Sequence, residues 1–191
     1  MTNIEVHENV LSEEHWKHLY DFISNEWFSW TYQLGTSHNS ETGKYDREGD
    51  TPQLVRNLFH RETISNKTKF PTAFNQSMQM HEYFEVLPQI TMIPQKILPN
   101  SNPWRIKVNL LQPHPDAGEH HPWHIDSTNS YTSMIYYIND SDGDTFLNKV
   151  ETQRITPKAN TAVIFPSNLW HASSNPTKGR RIVLNYMVEM T

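Results

Sequence analysis

The chain contains no cysteine. That excludes disulfides, thiolate metal sites and cysteine nucleophiles, and says little about compartment. A basic excess is also missing. The 16 Lys and Arg stand against 21 Asp and Glu, a formal net charge of −5, so there is no basic field to recruit nucleic acid. No apolar run approaches the ~20 residues that cross a bilayer. The opening stretch MTNIEVHENVLSEEHW has neither a basic n-region nor an apolar core, so it does not read as a signal peptide. These absences predict a cytoplasmic protein with no nucleic-acid or membrane partner; its oligomeric state stays open. At 191 residues, one domain spanning 1–191 is expected, large enough to bury a real core.

What is present is a spacing. His124-Ile125-Asp126 is followed, far along the chain, by His171 and then by Arg180-Arg181. Two imidazoles and one carboxylate can occupy one triangular face of an octahedral metal and leave the opposite face open. That is the ligand set of non-haem Fe(II) oxygenases. On an extended strand residues i and i+2 point to the same side, so His124 and Asp126 can reach one ion while Ile125 turns away. Another strand must deliver His171. The pair His121 and His124 is a competing assignment, but it lacks a third ligand of obvious geometry.

The pieces after Asp126 come in a definite order. Residues 131–139 (YTSMIYYIN) are aromatic and β-branched and end in a turn, which reads as a strand. Gly143-Asp144-Thr145-Phe146, Ile155-Thr156-Pro157-Lys158 and the apolar run 162–166 (AVIFP) follow. Leu169-Trp170-His171-Ala172 and residues 177–186 (TKGRRIVLNY) complete the series. Over about residues 104–188 this order resembles the catalytic half of 2-oxoglutarate/Fe(II)-dependent dioxygenases, nearest to the prolyl-4-hydroxylase-like branch with its small bacterial and phage members.

The resemblance implies a mainly β fold with flanking α, a double-stranded β-helix (jelly-roll, cupin-like) with N-terminal helices packed on one sheet. Many short strands with Pro- and Gly-bearing turns suit such a double-sheet fold. It implies that His124, Asp126 and His171 hold Fe(II), and that Arg181 and Tyr137 bind the distal carboxylate of 2-oxoglutarate. Asn109 is a further cosubstrate candidate, or an ordinary polar strand residue. Arg suits a buried dianion because its charge is permanent and its donors form a planar fork. Parity favours Arg181, which shares a strand face with Val183 and Asn185; Arg180 shares one with Ile182, Leu184 and Tyr186. The implied activity is hydroxylation of a C–H bond on a peptidyl residue or small metabolite, with Fe(II) as cofactor, 2-oxoglutarate and O2 consumed, and succinate and CO2 released. Asp126 is in keeping with a hydroxylase, since halogenating members carry Gly or Ala there. The alternative is a metal-binding jelly-roll without 2-oxoglutarate turnover, an isomerase or a sensor.

Residues 1–103 read as helical support and loop for a catalytic half over 104–191. Ser12 is a good N-cap with Glu13 and Glu14 in the first turn. Trp16, Leu19, Tyr20, Ile23 and Trp27 recur at helical spacing, predicting a helix over about 13–29. The polar stretch 35–52 predicts a long exposed loop. Residues 73–97 read as a second helix broken near Pro88 and Pro94. Pro99 to Pro103 reads as a turn into a strand over 104–112, on which Arg105, Lys107 and Asn109 oppose Ile106, Val108 and Leu110. Trp123, Tyr131 and Trp170 flank the ligands and either wall a pocket or pack.

Overall fold

The computed structural model describes residues 4–37, 48–61 and 84–191. In chain order the elements are β1 (Glu5–His7), α1 (Glu13–Ser24), β2 (Thr31–Gln33), β3 (Gln53–His60), α2 (Leu87–Ile97), β4 (Ser101–Leu111), β5 (Thr132–Tyr137), β6 (Thr145–Leu147), β7 (Gln153–Ile155), β8 (Thr161–Pro166), β9 (His171–Ser173) and β10 (Arg181–Met190). Seven strands form an antiparallel sheet in the order β1-β8-β5-β10-β4-β3-β2. A second sheet runs β7-β6-β9, and a bridge from His124 to His171 extends it by one residue. This is the double-sheet, jelly-roll arrangement. No helix among the described residues is long and apolar enough to cross a membrane.

Alternation along β4 and β10 divides the interior in two. Ile106, Val108 and Leu110, with Ile182, Leu184 and Tyr186, join Leu19, Ile23, Ile90 and Ile93 in the core between the large sheet and the helices. On the other side, Ile135, Tyr137, Val163, Phe165 and Val183 pack with Leu147 between the two sheets. Each fully buried Leu or Ile contributes about 1.5–3 kcal/mol, so the helix-covered face carries much of the stability.

Both helices differ from the sequence expectation at a nameable point. In α1, Ser12 Oγ accepts from His15 N at 3.3 Å as anticipated, but the helix stops at Ser24 rather than near 29. Asn25 is extended (φ −65, ψ 143), and its side chain accepts from Trp27 N at 2.9 Å, which turns the chain away. Trp27 is thereby 84% exposed rather than part of the apolar stripe. In α2, Pro88 lies in the first turn, where its missing N–H costs nothing. Pro94 lies inside the helix without breaking it. Proline there leaves the carbonyl of Ile90 without its helical donor, and the Tyr186 hydroxyl donates to that carbonyl at 2.9 Å. The part of the expected helix between 73 and 83 lies outside the described residues.

Residues 1–103 do more than support. β3, which was not anticipated, pairs with β4 across a bulge between Asn57 and Phe59 and widens the large sheet. The ends of the expected exposed loop are held in as well. Thr36 N and Oγ1 donate to Asp50, and Ser37 and Thr51 are buried. The middle of that loop, 38–47, lies outside the described residues. The strand foreseen at 104–112 begins earlier, at Ser101, so the turn before it is confined to the residues just ahead of Ser101.

Candidate active site

A cavity of about 570 Å³ opens beside the inner face of the large sheet. Its walls come from β3, β4, β9, β10, the segment His124–Asp126, and Thr36 and Ser37. Of the residues singled out in the sequence, His124, Asp126, His171, Arg181 and Asn109 all line it.

His124, Asp126 and His171 form one cluster, with a ligand atom of each within 4.8 Å of the others. Backbone pairing places them. His124 N donates to His171 O, and His171 N to His124 O, each at 2.9 Å. Asp126 N donates to Ser167 O at 2.9 Å. The two histidines therefore sit on neighbouring segments of the smaller sheet. His124 is an isolated bridge residue rather than part of a strand, so strict alternation does not apply, and Ile125 lines the cavity instead of turning away.

The donors are oriented as a metal requires. His124 Nδ1 lies 3.2 Å from Pro122 O, and His171 Nδ1 lies 2.9 Å from Leu169 O. An N–H at each Nδ1 leaves each Nε2 with a free lone pair. Burial, and next the charge of His171, lower His124 to a pKa of about 3, so it is neutral near pH 7. Burial alone would raise the Asp126 pKa. Arg105, with His171 and His124, outweighs it and holds the carboxyl well below the usual range. Arg105 Nη2 donates to Asp126 Oδ1 at 2.8 Å and Ser133 Oγ to Oδ2 at 2.6 Å, which fix the carboxylate's orientation. A neutral His124, the Nε2 of His171 and an oriented, ionised carboxylate fit a divalent iron.

Arg181 faces the same cavity at 3% exposure. Its Nε donates to Gly143 O at 2.9 Å and its Nη2 to Thr145 Oγ1 at 2.8 Å. Gly143 has to be glycine here: a Cβ would lie 3.1 Å from Arg181 Cδ and 2.7 Å from Ser174 O. Among the described residues Arg181 forms no ion pair, so a fork-shaped cation stands ready for an anion. Arg180 is half-buried and on the other parity, where its carbonyl accepts from Asn139 Nδ2. Tyr137 is fully buried, and burial raises its pKa. It does not line the cavity. Its hydroxyl donates to Thr145 Oγ1 at 2.8 Å, and Thr145 is the residue that reaches the cavity. Asn109 Nδ2 donates to Gln53 Oε1 at 2.7 Å, and Gln53 Nε2 to Gly35 O at 2.9 Å, tying β4 to the N-terminal segment.

His121 does not join the metal cluster. It is buried at 1% exposure, with Nδ1 3.0 Å from Ser173 Oγ and Nε2 2.8 Å from Asn175 Oδ1 and 2.9 Å from Thr51 Oγ1. Burial lowers its pKa to about 4. His120 packs against Trp123 and Phe146. Tyr131 stacks on Trp104, and Trp170 is largely exposed beneath Lys149; none of Trp123, Tyr131 and Trp170 lines the cavity.

Sequence reasoning missed Arg105, Lys107, Thr145 and the contributions of β3. Lys107 lines the cavity between them, its pKa lowered to about 8 by burial and then by Arg105. The polar alternation Arg105, Lys107, Asn109 was the available signal.

Comparison with known proteins agrees with this geometry. Residues 108–189 match the family model of the 2OG-Fe(II) oxygenase superfamily. No curated protein sequence matches. Among solved structures, the chain is similar to a prolyl-4-hydroxylase from Pseudomonas putida, at 13% identity and a TM-score of 0.59, covering 100% of this chain and 94% of that one. It is also similar to a prolyl hydroxylase from Trichoplax adhaerens in complex with a peptide fragment of the hypoxia inducible factor oxygen degradation domain, at 14% identity and a TM-score of 0.62, covering 97% and 82%. The α-ketoglutarate-dependent epimerase SnoN of nogalamycin biosynthesis is a third, at 10% identity and a TM-score of 0.60, covering 99% and 78%.

Proposed function

We propose that this chain, a 2-oxoglutarate-dependent dioxygenase and member of the 2OG-Fe(II) oxygenase superfamily, hydroxylates a C–H bond of a small metabolite or a peptidyl residue. The balanced reaction is R–H + 2-oxoglutarate + O2 → R–OH + succinate + CO2. The observation that carries this reading is that the His124–Asp126–His171 cluster and the buried Arg181 face one cavity.

In this reading His124, Asp126 and His171 hold Fe(II), which supplies the site where 2-oxoglutarate and O2 react. Arg181 and Thr145 bind the distal carboxylate of 2-oxoglutarate. Tyr137 acts through Thr145: its hydroxyl and Arg181 Nη2 both point at Thr145 Oγ1. That leaves the Thr145 proton free to donate into the cavity. Asn109 contributes a polar wall held in place by Gln53. Arg105 and Ser133 keep Asp126 ionised and oriented. Leu111, Ile135 and Val183 line the apolar part of the cavity.

Anaerobic addition of Fe(II) and 2-oxoglutarate is expected to give a visible charge-transfer band, and a substrate library under O2 should then identify compounds that release succinate. Succinate matched by a product 16 mass units heavier than its substrate supports hydroxylation. Succinate with a product of unchanged mass points to another outcome of the same C–H chemistry, such as epimerisation, SnoN being an epimerase. No band and no succinate would favour the metal-only alternative.

A further inference from the structure

The cavity is far more basic than the protein around it. The chain carries a formal charge of −5. Among the described residues, the cavity lining holds three cations, Arg105, Lys107 and Arg181, and a single carboxylate, Asp126. A metal dication and the 2-oxoglutarate dianion would cancel one another, so the loaded site keeps an excess of two positive charges. A recessed site with such an excess favours an anionic occupant strongly, because charges there are poorly screened.

The cations occupy two ends. On the β4/β10 ladder, Arg181 lies opposite Leu111 and Lys107 lies opposite Asn185. Arg181 and Asn185 are four residues apart on β10, so roughly 13 Å separates the two levels at ~3.3 Å per residue. Thr145 shares the Arg181 end. On β6 and β9, Thr145 pairs with Ser173, and His171 lies two residues beyond Ser173, opposite Leu147. Arg105 binds Asp126 and Asn185. The metal cluster thus falls between Arg181 and the Arg105/Lys107 end. If 2-oxoglutarate runs from Arg181 to the metal, the second cationic end belongs to something else.

That end also has unused donors. Lys107 makes no hydrogen bond or ion pair among the described residues. Arg105 Nε is buried and has no hydrogen-bond partner among the described residues. Burying an ammonium without a partner is costly, which makes sense if an occupant supplies the acceptor.

Resting on the reading of Arg181 given above, we infer that Lys107, with Arg105 beside it, anchors an oxyanion of the substrate, a carboxylate or a phosphate ester, and so sets which C–H bond lies next to the metal. The enzyme selects anionic substrates.

The test uses the Fe(II)-loaded protein with saturating 2-oxoglutarate under anaerobic conditions. Calorimetry compares matched probes: N-acetyl amino acids against their C-terminal amides, and phosphate esters against the parent alcohols. The two series distinguish carboxylate from phosphate recognition. At least one series should show about a tenfold or greater preference for the anion, the scale of a recessed charge pair. Lys107→Gln should erase that preference and Lys107→Arg should keep most of it, while both leave 2-oxoglutarate affinity nearly unchanged. A wild type that binds 2-oxoglutarate but shows no anion preference in either series overturns the inference alone, even if Lys107→Gln fails to fold. A large loss of 2-oxoglutarate affinity in a folded Lys107→Gln also overturns it, by placing Lys107 on the cosubstrate. A wild type that fails to bind 2-oxoglutarate overturns the functional reading itself.

Discussion

The two faces of β10 do opposite work with alternate residues of one strand. Ile182, Leu184 and Tyr186 point at the helices and are fully buried in an apolar core. Arg181, Val183 and Asn185 point at the cavity, where two of the three carry hydrogen-bonding groups. The same division runs through β4, with Ile106, Val108 and Leu110 against Arg105, Lys107 and Asn109. The helix side holds the strands in register, and the cavity side can therefore carry buried charge that an isolated sheet would not tolerate. Stability resides mainly on one face and ligand recognition on the other, so substitutions on the two faces should separate cleanly.

The largest separation is expected at the arginine pair. Arg181→Ala should weaken 2-oxoglutarate binding by two to three orders of magnitude, since losing one partner of a buried ion pair costs about 3–5 kcal/mol. Arg180→Ala, half-buried on the other parity, should cost about 1 kcal/mol or less. Titration calorimetry on the Fe(II) protein measures both, and a larger loss at Arg180 would break the division of faces. On the helix side, Leu184→Ala should lower unfolding stability by about 2–5 kcal/mol through cavity formation, with 2-oxoglutarate affinity preserved in the folded fraction.

A third effect is set by pH. His121 titrates near 6.5 when unfolded but at about 4 when folded. Between those values the unfolded chain binds a proton that the folded protein refuses. Acid therefore favours unfolding, and stability falls as pH drops from 6.5 to 4, then levels off as far as His121 is concerned. The span corresponds to something on the order of 3 kcal/mol. His124, lowered to about 3, adds to the slope over the same window in metal-free protein. Denaturation of the metal-free wild type and of His121→Asn at pH 7 and pH 4.5 should show the smaller pH loss in the variant. The smallest effect is Tyr186→Phe, which strands the Ile90 carbonyl beside Pro94 and should cost about 1–3 kcal/mol without touching the cavity.

Legibility in the sequence follows these faces. β4 and β10 alternate cleanly because each has one uniformly buried side, and that alternation, with the His124, Asp126 and His171 spacing, pointed at both the fold and the metal cluster. β3 was not legible, since its bulge between Asn57 and Phe59 breaks the period of two on which strand recognition rests. The survival of α2 across Pro94 depends on a hydroxyl 96 residues beyond Ile90, which no local pattern encodes. The early end of α1 depends on an Asn25 turn that interrupts an apolar spacing continuing to Trp27. Tyr137 was visible as a motif residue, but whether its hydroxyl meets a ligand or Thr145 depends on the β5–β6 packing. Lys107 stood in plain sight as a polar strand residue, and parity alone does not say whether that face meets water or an enclosed cavity.

In the proposed reading the His124–Asp126–His171 cluster and Arg181 serve one metal-and-cosubstrate site. Anaerobic absorbance titration of the Fe(II) protein with 2-oxoglutarate tests it most directly. A saturable charge-transfer band is expected in wild type, the same band reached only at far higher 2-oxoglutarate concentration in Arg181→Ala, and no band at any concentration in His171→Ala. An undiminished band in His171→Ala would contradict it, by moving the third ligand elsewhere.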